Sequence, residues 1–163
     1  MNRARTAGVV YALVFVTGIT ALLVRGTVGS VAGALAGLLY VGVTVLFYGL
    51  FKPVNQRVSL IAAAVSILGI AAGPLLKVNP LPAFGVYCLL ISYLMLASTT
   101  VPRFLGVLMA FAGFGWLTFL SPSLASRLSP YNFGPGIIGE GSLTLWLVIT
   151  GVEPGRLEKA PRT

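Results

Sequence analysis

Glu140 is the residue whose type and setting could do chemistry in this sequence. It sits one to two turns into an apolar run, Gly134 to Val152, and the other two acidic residues, Glu153 and Glu158, fall in the polar stretch that follows. A carboxyl group in a run of membrane-spanning length can hold a cationic ligand, accept a proton, or anchor a helix through an ion pair. Ionisable groups inside membrane segments are functional candidates by default. Gly136, Glu140 and Thr144 share one helical face, and Gly139 and Gly141 flank the acid without side-chain bulk. That spacing predicts a carboxyl group turned against a neighbouring helix and away from lipid.

A charge at the bilayer centre costs about 2.5 to 3.5 kcal/mol on insertion scales and less near an end. With the run opening at Gly134, Glu140 is expected just inside the outer boundary, where free amides and the helix dipole favour a carboxylate. Arg25, Lys77 and Arg127 are expected on that same side, and each is a candidate to reach inward and pair with it. Without such a pair the acid can sit there protonated. Two readings therefore stand side by side, a functional carboxyl group and a structural anchor.

The absences narrow the chemistry. The chain has no His, no Asp and a single cysteine, Cys88. A Cys/His zinc site, a His-ligated haem, a Ser-His-Asp triad and an aspartate pair are excluded. No metal, no cofactor and no catalytic residue is expected, because the one embedded carboxyl group has no nucleophile and base beside it. Cys88 falls in mid-helix, where a thiol behaves as a small apolar side chain.

Composition identifies the solvent that surrounds the chain. Hydrophobic residues make up 57% and charged residues 9% of the sequence, whereas soluble domains carry about 25% charged residues. The formal charge of +8 comes from eleven Lys and Arg spread singly, mostly where apolar runs stop. A nucleic-acid surface clusters its cations on one face, so no nucleic-acid partner is expected. The lipid bilayer is the expected environment.

The elements that must position Glu140 are six apolar runs, giving an all-α integral membrane bundle over residues 1–152 followed by a polar, disordered tail over 153–163. Ala7 to Val24 follows a short basic start with Arg3 and Arg5. It is too long for the apolar core of a cleaved signal and lacks a small-x-small site after it, so a retained helix is expected. Arg25-Gly26-Thr27 is a tight turn. Val28 to Phe51 ends at Lys52-Pro53, Val58 to Leu76 ends at Lys77, and Asn79-Pro80-Leu81-Pro82 makes a stiff link to Ala83 to Ser98. Val101-Pro102-Arg103 precedes Phe104 to Leu120. The connection Ser121 to Gly136 is longer than the others. Ser121-Pro122 can cap a helical turn there, and Leu124 and Leu128 with Arg127 suggest a short piece on the membrane surface. No short repeat is present, and the halves show no alignable inverted pattern.

Cations set the orientation. Arg3, Arg5, Lys52, Arg57, Arg103, Arg156, Lys159 and Arg162 fall on the side of the termini, and Arg25, Lys77 and Arg127 on the other. Under the positive-inside rule both termini are cytoplasmic, in a plasma membrane.

Small residues mark where helices meet. Gly29, Gly33 and Gly37 recur at four-residue spacing, with Tyr40 and Thr44 on roughly the same face. Gly69 with Gly73, and Gly106 with Gly113 around Ala110, form further seams. Such spacing lets backbones approach closely. For the first seam a glycine-lined cleft with Tyr40 and Thr44 as polar contacts is the other reading. Ser92 shares a face with Cys88, and Trp116 falls near a span end, where an interfacial aromatic is expected.

Three segments carry a family resemblance: Tyr48 to Asn55, Val101 to Leu108, and Gly139 to Val152. Together they resemble the bacterial multi-pass membrane proteins grouped as domain of unknown function 4386, over nearly the whole chain. The resemblance implies a helical plasma-membrane protein and directs attention to Lys52, Pro53, Arg103, Glu140 and Trp146, but it implies no reaction. Members of that family tend to have a larger outer segment after the first helix than Arg25 to Ser30.

Two functions follow as expectations. In one, the bundle binds or transports a small lipophilic or cationic molecule, with Glu140 as counter-charge or proton acceptor and Thr144, Tyr87, Ser92, Tyr93 and Tyr40 as polar lining. In the other, the chain is a structural or accessory subunit whose glycine faces pack a partner protein or a second copy of itself.

Overall fold

A computed structural model describes residues 3–151, so the expected polar tail at 153–163 lies outside the described residues. Seven α-helices carry the fold: α1 Arg3–Leu23, α2 Thr27–Phe51, α3 Gln56–Leu76, α4 Leu81–Ala97, α5 Arg103–Leu117, α6 Pro122–Leu128 and α7 Gly134–Thr150. Short 3-10 turns, Thr118–Leu120 and Tyr131–Phe133, follow α5 and precede α7. No β-strand occurs among the described residues. Five spans are long and apolar enough to cross a membrane, and α4 is a shorter apolar helix of 17 residues. The fold is all-α, as composition predicts.

The helix ends follow local chemistry. Asn55 accepts a hydrogen bond from the Val58 amide at 3.2 Å and caps α3. Ser121 does the same for α6, taking the Leu124 amide at 3.4 Å, with Pro122 in the first turn. Gly26 turns the chain between α1 and α2 with φ of 85°, a conformation that a side chain would strain. Pro74 lies inside the last turns of α3, which ends on Lys77 in the left-handed conformation.

The long helices close into a ring. α1 packs on α2, α2 on α3, α3 on α4, α4 on α5, α5 on α7, and α7 returns to α1. Contacts at each seam run antiparallel: Thr44 meets Ser66 while Tyr48 meets Ser59 between α2 and α3, and Ser92 meets Gly106 between α4 and α5. One end of the ring therefore carries Arg3, Arg5, Lys52, Arg57 and Arg103, and the other carries Arg25, Lys77 and Arg127. We call these the terminal and distal ends.

Glycine decides which seams are tight. A Cβ on Gly139 would fall on the Leu108 carbonyl oxygen, and one on Gly136 would fall inside the Trp116 indole, so α5 and α7 touch backbone to backbone. Gly8 brings α1 within 2.8 Å of the Val148 amide on the same measure, and Gly106 and Gly113 do likewise for α4 and α5, at 2.8 Å from Leu96 and Leu89. Gly69 makes a comparably close crossing with Ala83. Gly33 and Gly37 behave differently. Their nearest neighbours, Ala21 at 3.6 Å and Ile70 at 3.7 Å, are at ordinary contact distance, as is Pro80 from Gly73 at 3.7 Å. Gly29 meets the preceding turn, at the Val24 carbonyl, with the Ala21 carbonyl at the end of α1 3.5 Å away.

Candidate functional site

α7 is drawn into the ring by Gly136 and Gly139, and this places Glu140 in the middle of the bundle. The side chain is buried, with 6% of its surface exposed. The turn Tyr131–Phe133 extends the apolar span, so Glu140 is the tenth of the twenty residues Tyr131–Thr150. At 1.5 Å per residue that is about 14 Å along the helix, half of a hydrocarbon core of about 30 Å. Starting the span at Gly134 put the acid near a boundary. The added turn moves it to mid-span, and beyond the first helical turn the dipole offers little.

Three neutral donors hold the carboxyl group. Tyr11 of α1 donates its hydroxyl to Oε2 in a short hydrogen bond. Trp116 of α5 donates its indole N–H to Oε1 at 2.5 Å, and the Cys88 thiol of α4 points at the same oxygen from 3.9 Å. The indole reaches Glu140 because Gly136, one turn earlier on α7, leaves room for the ring to lie against the helix. Tyr40 of α2 completes the group, its hydroxyl 3.4 Å from that of Tyr11 and its ring edge-on to Tyr11 at 5.7 Å. Four of the six ring helices thus send a side chain to the acid on α7 or to its first partner.

Above this cluster lies a cavity of about 510 Å³. Its wall comes from the distal halves of α1 (Val14 to Leu22), α2 (Gly33 to Tyr40) and α3 (Ile70 to Pro74), with the first turn of α4 and the Phe133 to Glu140 stretch. Tyr11, Tyr40, Trp116 and Glu140 form the polar end, and the rest of the wall is apolar. Gly33, Gly37 and Gly73 are wall residues here, which explains their loose packing.

The expected residues separate clearly. Glu140 and Tyr40 line the cavity. Thr144 lies one turn below Glu140 and donates to the Glu140 carbonyl at 2.8 Å. Tyr87 is fully buried against Tyr40, ring centroids 5.9 Å apart, with a hydroxyl that has no hydrogen-bond partner. Thr44 is spent on the Ser66 hydroxyl at 2.7 Å and the Tyr40 carbonyl. Ser92 clasps α5 by donating to the Gly106 carbonyl at 2.7 Å, and Tyr93 is exposed on the outer face of α4. Arg25, Lys77 and Arg127 stay exposed at the distal end. Among the described residues no cation reaches Glu140, whose place as partner is taken by Tyr11, Trp116 and Cys88.

Sequence reasoning missed Tyr11 and the inward role of Trp116. A tyrosine one turn inside the first apolar run was the available signal, since a phenol in lipid needs a partner. Trp116 is close enough to a span end to read as an interfacial anchor, and only the α5–α7 contact turns it inward.

The fold and site define a helical membrane protein with a carboxyl group embedded in an aromatic cluster beneath an apolar cavity. Residues 75–151, from the end of α3 to the end of α7, match the family described as Domain of unknown function (DUF4386). An Archaeoglobus fulgidus protein described as an uncharacterized protein is 29% identical over 154 residues, covering 84% of this chain and 93% of that relative. The family resemblance is borne out by that match, which contains the Val101 to Leu108 and Gly139 to Val152 segments and leaves Tyr48 to Asn55 outside it. The relative is archaeal, where the resemblance pointed to bacteria. No solved structure matches the chain.

Proposed function

We propose that the protein binds or transports a small lipophilic or cationic molecule within the helix bundle, with Glu140 as counter-charge or proton acceptor. The observation that carries this reading is the pairing of a cavity of about 510 Å³ with a carboxyl group that has only neutral partners at its polar end. Ligand sites are typically apolar concavities of about 300 to 1,000 Å³ with a few converging polar groups. A carboxylate buried without a cation retains a desolvation penalty of several kcal/mol that an incoming cation offsets.

The reading places six helices across the plasma membrane with both termini inside. Five cations at the terminal end against three at the distal end support that orientation. The cavity then faces the outer half of the bilayer. Use of Gly69, Gly106 and Gly113 in contacts within the chain weakens the accessory-subunit alternative, which needs such faces for a partner.

Native mass spectrometry of protein gently released from membranes tests the proposal. Wild type should retain a small molecule that Glu140→Gln lacks. Identical lipid adducts in both, with nothing else bound, would reject it.

A further inference from the structure

The cavity is polar at its floor, apolar at its mouth and open along one side. Resting on the binding function just proposed, we infer that its ligand is a single-chain amphiphile with an organic ammonium head, which enters head first from the bilayer through a cleft between α1 and α7.

The route follows from how these two helices meet. Arg5 donates to the Ile149 carbonyl at 3.3 Å, Gly8 abuts Leu147 and Val148, and Tyr11 reaches Glu140. Continued along the helices, that antiparallel register sets Ile19 level with Ile137 and Leu22 level with Phe133. All four line the cavity, yet Ile19, Ile137 and Leu22 are 50%, 59% and 69% exposed. α1 and α7 therefore touch in their terminal halves and stand apart above Tyr11. A cleft bordered by exposed Ile and Leu at this depth faces lipid chains, so what enters it comes from the membrane.

The head group follows from charge. Glu140 supplies a carboxyl group that can pair as carboxylate with an incoming cation, the wall contains no Lys or Arg, and Tyr11, Tyr40 and Trp116 cluster around that group. A carboxyl group among aromatic side chains suits an ammonium ion, whereas a phosphate or carboxylate head would find no cation.

The tail follows from space. Above the floor the wall is aliphatic, and a Cβ added at Gly18 would meet nothing within 4 Å. A volume of about 510 Å³ is that of a site for a drug-sized molecule and not for a two-chain lipid.

The test uses the full chain in lipid bilayers with Trp146→Phe, which leaves Trp116 as the only tryptophan. Its fluorescence reports binding of dodecyltrimethylammonium, below its micellar concentration, against tetramethylammonium. The dodecyl compound should bind at least tenfold more tightly, Glu140→Gln should lose both, and Gly18→Leu should abolish the tenfold advantage while retaining the small ion. Lipids brominated on their acyl chains should quench Trp116. Equal affinity for the two cations, both lost in Glu140→Gln, would leave cation binding intact and overturn the amphiphile. An unchanged chain-length advantage in Gly18→Leu, or no quenching by brominated chains, would overturn the route. Failure of both cations to bind would remove the binding function and this inference together.

Discussion

Tyr11 and Glu140 are 129 residues apart in the chain and meet as donor and acceptor at the centre of the helix ring. The contact joins the first and last helices, so it closes the ring as well as holding the acid. Tyr11→Phe should lower stability by about 0.5 to 1.5 kcal/mol, the net range for an intramolecular hydrogen bond. Glu140→Leu, which leaves no acceptor, should also destabilise, and the double variant should lose less than the sum, since each change removes the same contact. Additive losses in detergent unfolding curves would show that the pair is not energetically coupled.

Trp116 reaches Glu140 only because Gly136 has no side chain. Gly136→Val should displace the indole and alter Trp116 emission in a Trp146→Phe background. Gly139→Leu should be more damaging, because its side chain would enter the Leu108 backbone of α5 and not a rotatable ring. Overpacking of that kind costs about 1 to 3 kcal/mol or more. Gly18→Ala, with open space beyond it, should leave stability unchanged or raise it by up to about 1 kcal/mol through helix propensity. The melting temperatures should rise from Gly139→Leu through Gly136→Val to Gly18→Ala.

Polar residues away from the cavity separate binding from packing. Ser92→Ala should cost about 1 kcal/mol through loss of its bond to the Gly106 carbonyl, and leave ligand retention unchanged. Tyr93→Phe should change neither, since the side chain is exposed on α4. Loss of the co-purifying molecule in either variant would move the ligand to the α4–α5 seam.

Cys88 is fully buried behind Glu140. A membrane-permeant maleimide should leave it unmodified in the native protein and label it on unfolding, as read by intact mass. Rapid native labelling would mean that the α4 side of the cluster opens.

Cysteines introduced at Arg25, Lys77 and Arg127 in a Cys88→Ala background should share one face of the membrane, and one at Asn55 should lie on the other. An impermeant thiol reagent applied to intact cells should reach the first three only. Labelling of positions 25 and 77 from opposite sides would break the antiparallel ring.

Much of the architecture was legible in the sequence because it depends on local quantities. The lengths of the apolar runs, the stops at Lys52-Pro53 and Asn79-Pro80, the Ser121 cap and the division of cations between the ends all follow from transfer energies and backbone restrictions of neighbouring residues. Glu140 was conspicuous for the same reason, as a costly group in an apolar segment. Its partners could not be read that way. In lipid a helix is apolar on its outer face as well as its inner one, so periodicity does not say which side turns inward. The close approaches at Gly8, Gly136 and Gly139 set the rotation of α1 and α7, and that rotation selected Tyr11 and Trp116 over Arg25, Lys77 and Arg127. It also left Gly33 and Gly37 facing a cavity where their spacing alone suits a packing seam equally well. The sequence determined that an acid had to be accommodated in an apolar bundle; which groups accommodate it, and the space above them, depended on contacts between helices distant in the chain.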